Sequence, residues 1–293
     1  MSNPSAPEYT YDAEFFRDNF FREFTWLNGF LRNVSRFGAK PALYDSYSGR
    51  EWTYGEVNAE ANKLANAFLR DGANKNDVVM YMLFNSPEFA FSYVATHKTG
   101  TISCPINYRL SPGEIALQLE HSEPKFFIFG EEFAETARKA MELSRHKPSR
   151  VVLAGNNPRE DEILYAKYIE SMAEDNPELP FPQDALRETT RLYTSGTTNL
   201  AKAVPLNSLN ETLSAHDVMI HFPLSSEDRT MNMTPWFHRG GLHSGGITPT
   251  LYAGGEVIIL REFHPRRCLE LTEKKKISFL IGVPSILALL ARA

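Results

Sequence analysis

A polar loop lies in the chain at Tyr193-Thr-Ser-Gly-Thr-Thr-Asn-Leu-Ala-Lys202. Its hydroxyl side chains and backbone N–H groups can donate hydrogen bonds to phosphate oxygens, its glycine permits a tight bend, and its lysine offsets negative charge. Composition alone also fits a flexible surface turn, and the second glycine of a Walker loop is missing before Lys202. Because the loop follows a buried strand signal, we predict that it handles phosphate. The residues involved are Thr194, Ser195, Gly196, Thr197, Thr198 and Lys202.

Strand and helix patterns alternate on both sides of this loop. Thr53 with Glu56, and Ser111 with Glu114, have the spacing of a capping box and predict two helix starts. The predicted strands are 78–84, 101–106, 125–129, 151–154, 229–234, 256–260 and 277–283. Such alternation is typical of right-handed βαβ crossovers, so the predicted fold class is α/β, with mainly parallel sheets flanked by helices.

Composition and charge favour a small-molecule partner over a nucleic acid. The 293 residues carry 36 acidic and 31 basic side chains spread along the chain, so no basic stripe indicates binding to a nucleic-acid backbone. The two cysteines, Cys104 and Cys268, lack metal-ligand spacing and are typical of a reducing compartment, so a cytoplasmic location is predicted. The most apolar stretch, 277–291, is shorter than the roughly 20 residues that span a bilayer, so no integral membrane segment is predicted.

Segment 193–202 resembles the signature of the adenylate-forming superfamily, which includes acyl-CoA synthetases, luciferases and peptide-synthetase adenylation domains. That signature usually reads Tyr-Thr-Ser-Gly-Thr-Thr-Gly-x-Pro-Lys-Gly, and here Asn199, Ala201 and Ala203 replace Gly, Pro and Gly. Other stretches resemble the family in the same order, and the resemblance runs from about residue 14 to the end of the chain. These stretches are 52–65, 85–89, 98–110 and 235–241.

The resemblance implies a carboxylate–CoA ligase that uses ATP, Mg²⁺ and coenzyme A. In this family the carboxylate attacks the α-phosphorus of ATP, and the acyl group of the resulting acyl-adenylate then passes to a thiol. By this resemblance residues 194–198 hold the β- and γ-phosphates, Thr198 also lies near Mg²⁺, and Lys202 contacts the phosphates. Lys202 and Thr198 are therefore two of the three implied catalytic residues.

The third implied catalytic residue is His238, in the segment Pro235-Trp-Phe-His238. In similar ligases this histidine lies where the acyl pocket meets the adenylate site. The resemblance therefore implies that its neighbours Trp236 and Phe237 flank the substrate pocket. Amino-acid adenylation domains instead place an aspartate near this region. His238 therefore favours a fatty or aryl acid without an α-amino group.

Family architecture implies two stacked sheets. The first sheet subdomain is expected at about 76–215, and the second, incomplete here, combines about 14–75 with 225–293. We expect the chain to be the truncated N-terminal domain of the adenylate-forming fold, without the C-terminal lid domain. On that expectation the chain alone does not complete adenylation.

Two other functional classes stay open. A non-catalytic relative that binds nucleotide or an acyl ligand would explain the departures at Asn199, Ala201 and Ala203. An oxidative, luciferase-like enzyme would use the same adenylate. A metal site at His238 and His243 is not favoured, because no carboxylate completes the ligand set. The identity of the acid and the oligomeric state stay undetermined.

Overall fold

A computed structural model describes residues 12–194 and 201–293. In chain order, the strands are β1 (Pro41–Asp45), β2 (Glu51–Thr53), β3 (Val78–Met82), β4 (Ile102–Pro105), β5 (Phe126–Gly130), β6 (Arg150–Ala154), β7 (Ile163–Leu164), β8 (Glu188–Thr194), β9 (Lys202–Asn207), β10 (Arg229–Asn232), β11 (Glu256–Ile259) and β12 (Phe279–Ile281). The helices are α1 (Ala13–Glu23), α2 (Trp26–Phe37), α3 (Tyr54–Arg70), α4 (Pro87–Thr99), α5 (Pro112–Ser122), α6 (Ala134–Leu143), α7 (Tyr165–Ile169), α8 (Ser208–His221), α9 (Arg239–His243), α10 (Ile247–Ala253), α11 (Pro265–Lys275) and α12 (Pro284–Leu290). Across the described ranges, no helix has the length and apolar character needed to cross a membrane.

The strands form two sheets. One has seven strands in the order β7-β6-β5-β3-β4-β8-β9, and the other has five in the order β12-β10-β11-β1-β2. Neighbouring strands run parallel except at the pairs β8–β9 and β1–β2. The predicted α/β class with mainly parallel sheets is confirmed.

Local signals in the sequence explain several helix ends. The side chains of Thr53 and Ser111 each accept a hydrogen bond from the third residue of their helix, and Glu56 and Glu114 accept one in return. Both capping boxes are therefore formed as predicted. Helix α4 ends at Gly100, whose φ of 71° lies in the left-handed region that favours glycine.

Strand β9 was missing from the prediction, which placed only a loop between β8 and α8. It pairs antiparallel with β8 along its whole length and has no second partner among the described strands, so it is an edge strand. Pro205 is tolerated there because one side of an edge strand needs no ladder hydrogen bond. Because β9 contains a proline and mostly exposed side chains, its sequence lacks the apolar pattern that predicts a strand.

The space between the two sheets is filled by one large apolar core. This core includes Leu43 and Val257 from the five-stranded sheet and Val79 and Phe126 from the seven-stranded sheet. Helix α4 is buried along nearly its whole length. The two sheets therefore share a core, and the loops at their edges are held at fixed positions relative to one another.

Candidate active site

The β8–β9 hairpin brings the two ends of the predicted phosphate loop together. Thr194 pairs with Lys202 at the end of the hairpin where the chain passes from β8 to β9, and the Thr194 hydroxyl donates a long hydrogen bond of 3.5 Å to the Lys202 carbonyl. The predicted site residues Ser195, Gly196, Thr197 and Thr198 lie outside the described residues. Asn199 lies outside them as well.

A cavity of about 560 Å³ opens beside this hairpin end. Three predicted site residues line it together: Thr194, and the consecutive residues Phe237 and His238, which come much later in the sequence. The other described lining residues are Asn107, Leu110, Glu114, Gln118, Leu192, Tyr193, Ala201, Val204, Leu206 and Arg239. Both the size and the mixture of apolar walls with a few polar groups are typical of small-molecule sites, which span roughly 300–1,000 Å³.

Two other predicted site residues lie off the described wall of this cavity. Trp236 is buried in the core, where its ring packs edge-on against Phe89 with centroids 5.4 Å apart. Lys202 is exposed at the first position of β9. The structure thus brings the loop end, Phe237 and His238 together, and places Trp236 behind Phe237.

His238 lies at the start of α9, with its ring centroid 4.2 Å from that of Phe237. Desolvation against the cavity wall, followed by the positive charge of Arg109, lowers the pKa of His238. The imidazole is therefore neutral near pH 7. A neutral ring presents one donor and one acceptor nitrogen to a ligand.

The turn that carries His238 is fixed by Asn232, which pattern analysis did not single out. The Asn232 amide donates hydrogen bonds to the carbonyls of Gly240 at 3.0 Å, Gly241 at 3.2 Å and Ser244 at 3.1 Å. A Cβ atom on Gly241 would lie 2.0 Å from the Pro235 carbonyl oxygen, so only glycine fits there. The backbone around His238 is therefore tightly constrained.

Polar groups at the cavity also include residues that the sequence prediction missed. The Tyr193 hydroxyl forms a 2.6 Å hydrogen bond with Ser122, and Arg239 donates to the Ser214 hydroxyl at 3.0 Å. The Glu114 carboxylate is occupied by its capping box, since it accepts from the Ser111 hydroxyl at 2.6 Å. The cationic Arg239 on the wall gives the cavity a group that suits an anionic ligand. Tyr193 and Arg239 stand next to predicted site residues in the sequence, whereas Ser122 and Ser214 join them only through the fold.

A buried polar cluster connects β8 with the helix that follows His238. The fully buried carboxylate of Glu211 accepts hydrogen bonds from the hydroxyls of Thr189, at 3.0 Å, and Thr190, and lies 2.6 Å from His97 Nε2. Its other oxygen lies 3.7 Å from His243 Nε2. Burial alone would raise the pKa of Glu211, but the charge of His97 and its hydrogen bonds outweigh burial and hold that pKa below its usual range. The cluster therefore ties β8, α4, α8 and α9 together through one anion.

Comparison with known proteins agrees with this arrangement. A family model described as AMP-binding enzyme matches residues 30–293. A 4-coumarate–CoA ligase 2 from Solanum tuberosum is 27% identical over 269 residues, which cover 90% of this chain and 48% of that protein. A feruloyl-CoA synthase from an Amycolatopsis species is 28% identical over 242 residues, which cover 82% of this chain and 45% of that protein. The chain spans about half the length of the curated relatives it matches.

Solved structures share the fold. An anthranilate CoA ligase in complex with anthranoyl-AMP superposes with a TM-score of 0.82 at 22% identity, covering 88% of this chain and 49% of that one. A luciferase-like enzyme from the nonluminescent mealworm Zophobas morio superposes with a TM-score of 0.81 at 17% identity, covering 93% of this chain and 63% of that one. At these identities the likeness shows a shared fold alone.

Proposed function

Because the chain belongs to the AMP-binding enzyme family, we propose that it is part of an ATP-dependent carboxylate–CoA ligase. The ligase activates an acid as its acyl-adenylate and then forms the CoA thioester. One observation carries the proposal: Thr194 at the end of the phosphate-loop hairpin shares a single cavity with Phe237 and His238. The hydroxyl that we propose to handle phosphate and an apolar wall therefore line the same cavity.

The groups at the cavity fit an anionic nucleotide. Arg239 supplies positive charge on the wall, and the Thr194 hydroxyl and the neutral His238 ring supply hydrogen bonds. ATP, carried with Mg²⁺, supplies the activated phosphate in this chemistry. Residues 194–198 and Lys202 would hold its β- and γ-phosphates, with Thr198 the proposed Mg²⁺ ligand. Catalysis then depends on positioning and charge stabilisation rather than on a protein nucleophile.

The acid substrate is proposed to be an aryl or fatty carboxylate. Leu110, Leu192 and Phe237 form apolar parts of the cavity wall, and Trp236 supports Phe237 from the core. His238 at the cavity edge would face the carboxylate end of the acid. The relatives named for coumarate and ferulate favour the aryl class.

We also propose a division of the chain and a location for the protein. Each sheet with its helices would form one subdomain, at about 76–215 and at about 14–75 with 225–293. Cys104 and Cys268 are both free and buried, which supports action in the reducing cytoplasm, where ATP and CoA are available. For the 293-residue chain by itself we propose weak nucleotide binding without complete adenylation.

The test is ATP–pyrophosphate exchange by the full-length protein with a panel of aryl and fatty acids. We expect exchange that depends on an aryl acid and falls about 100-fold or more in Lys202→Ala and His238→Ala, the size of effect typical of losing one charge-stabilising donor. The exposed Lys167→Ala variant serves as the matched control and should keep wild-type exchange. Absence of exchange with every acid would contradict the ligase proposal.

A non-catalytic relative is the second candidate, favoured by Asn199, Ala201 and Ala203 in the signature. Ala201 also lines the cavity. Replacing Asn199 by glycine in the full-length protein separates the two candidates. A large rise in exchange supports a loop that has lost turnover, whereas unchanged exchange supports an intact ligase.

A further inference from the structure

Lys98 is a buried lysine without a buried carboxylate to neutralise it. It lies near the end of α4 and is 3% exposed. Its Nζ donates hydrogen bonds to two side-chain amide oxygens, those of Asn58 at 2.7 Å and Asn176 at 2.6 Å. Over residues 12–194 and 201–293 no carboxylate forms an ion pair with it, and desolvation is the one cause that shifts its pKa. A buried charged lysine would be costly in this setting.

Lys98 forms part of the wall of a second cavity of about 230 Å³. This cavity shares no described lining residue with the one at the β8–β9 hairpin. Its other described lining residues are Leu27, Asn28, Leu31, Asn176, Pro177, Leu179, Phe181 and Gln183. Lys98 is the one titratable side chain among them, and the leucines and Phe181 make the remaining wall largely apolar.

The hydrogen bonds of Lys98 match an uncharged amine. A neutral amine has two N–H groups and one lone pair, whereas an ammonium has three N–H groups and no lone pair. The two amide oxygens satisfy two N–H groups. The described partner left for a third is the face of the Phe30 ring, whose centroid lies 6.0 Å from Nζ, at the outer limit of a cation–π contact. Burial lowers the pKa of Lys98 to about 7, in agreement with this count. Near neutral pH a large share of the side chain therefore carries a free lone pair beside the cavity.

We propose that Lys98 is an acylation site that takes a short apolar acyl group from a thioester bound in this second cavity. The Nζ lone pair attacks the thioester carbonyl carbon, a C–N bond forms and the C–S bond breaks. The sulfur leaves as thiolate, and the proton lost by the amine nitrogen balances the one that the thiolate takes up from solvent. The products are an Nε-acyl-lysine amide and a free thiol.

The cavity wall favours a thioester over an aldehyde. Imine formation from an aldehyde requires loss of a hydroxyl group, which an acid group must protonate. The described wall offers no titratable side chain other than Lys98 itself. A thioester carries its own leaving group, and Leu27, Leu31 and Phe181 would cover a short acyl chain.

The alternative is a purely structural role, in which Lys98 joins α3 to the connection before β8 through its hydrogen bonds to Asn58 and Asn176. That role predicts an effect on stability and no particular reactivity towards thioesters. The thioester in the test is added from outside, so the result does not depend on the proposed ligase activity.

The experiment exposes the full-length protein to the butyryl thioester of N-acetylcysteamine at pH 7 and follows each lysine by peptide mass spectrometry. Exposed Lys139 and Lys167 are the internal references. We expect Lys98 to be acylated at least about tenfold faster than either, since neutral amines are the reactive form and exposed lysines are almost fully protonated at pH 7. Equal or slower acylation of Lys98 would overturn the proposal.

A second variant tests the cavity without removing the lysine. Leu179→Trp fills the cavity from its loop side, and Leu186→Trp is the matched control at an exposed leucine outside it. The first change should slow acylation of Lys98 several-fold and leave Lys139 unaffected, whereas the second should change neither rate. Unchanged acylation of Lys98 in Leu179→Trp would show that the thioester does not bind in this cavity and would also overturn the proposal.

Discussion

Two buried ionisable residues show opposite solutions to the cost of burying charge. Glu211 keeps its negative charge because His97 and two threonine hydroxyls surround it. Lys98 meets two neutral amide oxygens and the face of the Phe30 ring, none of which carries a negative charge, and burial lowers its pKa. Burial therefore fixes a charge where partners carry the opposite sign, and removes one where they do not.

The pH dependence of stability should reveal the state of Lys98. In the unfolded chain its pKa has the ordinary value of 10.5, and in the folded protein it is about 7. Between these values unfolding takes up one proton, so a rise in pH disfavours unfolding and increases stability by up to about 1.4 kcal/mol per pH unit. Below about pH 7 both states are protonated and this contribution is absent.

Urea unfolding from pH 7 to 10 measures this effect, with Lys98→Met as the comparison. The difference in unfolding free energy between wild type and variant should grow in favour of the wild type as the pH rises. Parallel curves across this range would show that Lys98 titrates normally in the folded protein.

At the scale of single elements, helix α9 depends on glycines of two different kinds. The backbone at Gly241 lies against the Pro235 carbonyl, whereas a Cβ at Gly240 would meet open space. Both glycines belong to a segment that the sequence singled out by resemblance. Their different roles follow from which side of α9 faces the preceding turn, and the sequence does not show that.

Alanine substitutions at these two positions should have opposite effects. Gly241→Ala should cost about 1–3 kcal/mol of stability, because its methyl group overlaps the backbone and forces the turn at His238 to move. Gly240→Ala should be neutral or stabilise by up to about 1 kcal/mol, since alanine favours helix and nothing obstructs it. Thermal unfolding of the two variants checks this, and equal effects would contradict the close approach at Gly241.

Elements with strong local signals could be predicted and those without them could not. The helices begun by Thr53 and Ser111 carry capping boxes, which act within one turn and can be read from the sequence. Strand β9 was missed because it is an exposed edge strand stabilised by β8 rather than by its own pattern. Helix α2 is an exception, because it was missed although Thr25 caps it by accepting from the Asn28 N–H at 3.2 Å, a local signal. Its Trp26 also donates a hydrogen bond to the Thr248 carbonyl at 2.8 Å, a partner 222 positions away.

At the scale of the whole molecule, Asn85 connects the two sheets. It lies between β3 of the seven-stranded sheet and α4, and its amide donates to the carbonyls of Thr234 and Leu260, each at 3.2 Å. Its oxygen accepts from the backbone N–H of Trp236 at 2.8 Å. In the five-stranded sheet, Leu260 directly follows β11, and Thr234 is the second residue after β10. One side chain thus fixes the ends of strands from both sheets beside the Phe237–His238 turn.

Removing this connection should destabilise the protein. Asn85→Ala loses three hydrogen bonds worth about 1 kcal/mol each, so we expect a loss of about 3 kcal/mol in unfolding free energy. Asn85→Asp keeps the acceptor for Trp236 and loses the two donations, so it is the matched comparison. Urea unfolding measures both variants, and a wild-type midpoint for Asn85→Ala would contradict the connecting role.

The site as a whole could be predicted only in part. The resemblance pointed to Thr194, Phe237 and His238, which share the cavity, because those residues stand in recognisable segments. Arg239 directly follows His238 in one of these segments, whereas Asn232 lies outside them and belongs to the site through its hydrogen bonds to Gly240, Gly241 and Ser244.

The β8–β9 hairpin makes the residues on either side of segment 195–200 depend on each other. Thr194 at the end of β8 pairs with Lys202 at the start of β9, whereas the pairing of β8 with β4 is at Thr190. A substitution that loosens β9 should therefore also displace Thr194 from the cavity wall.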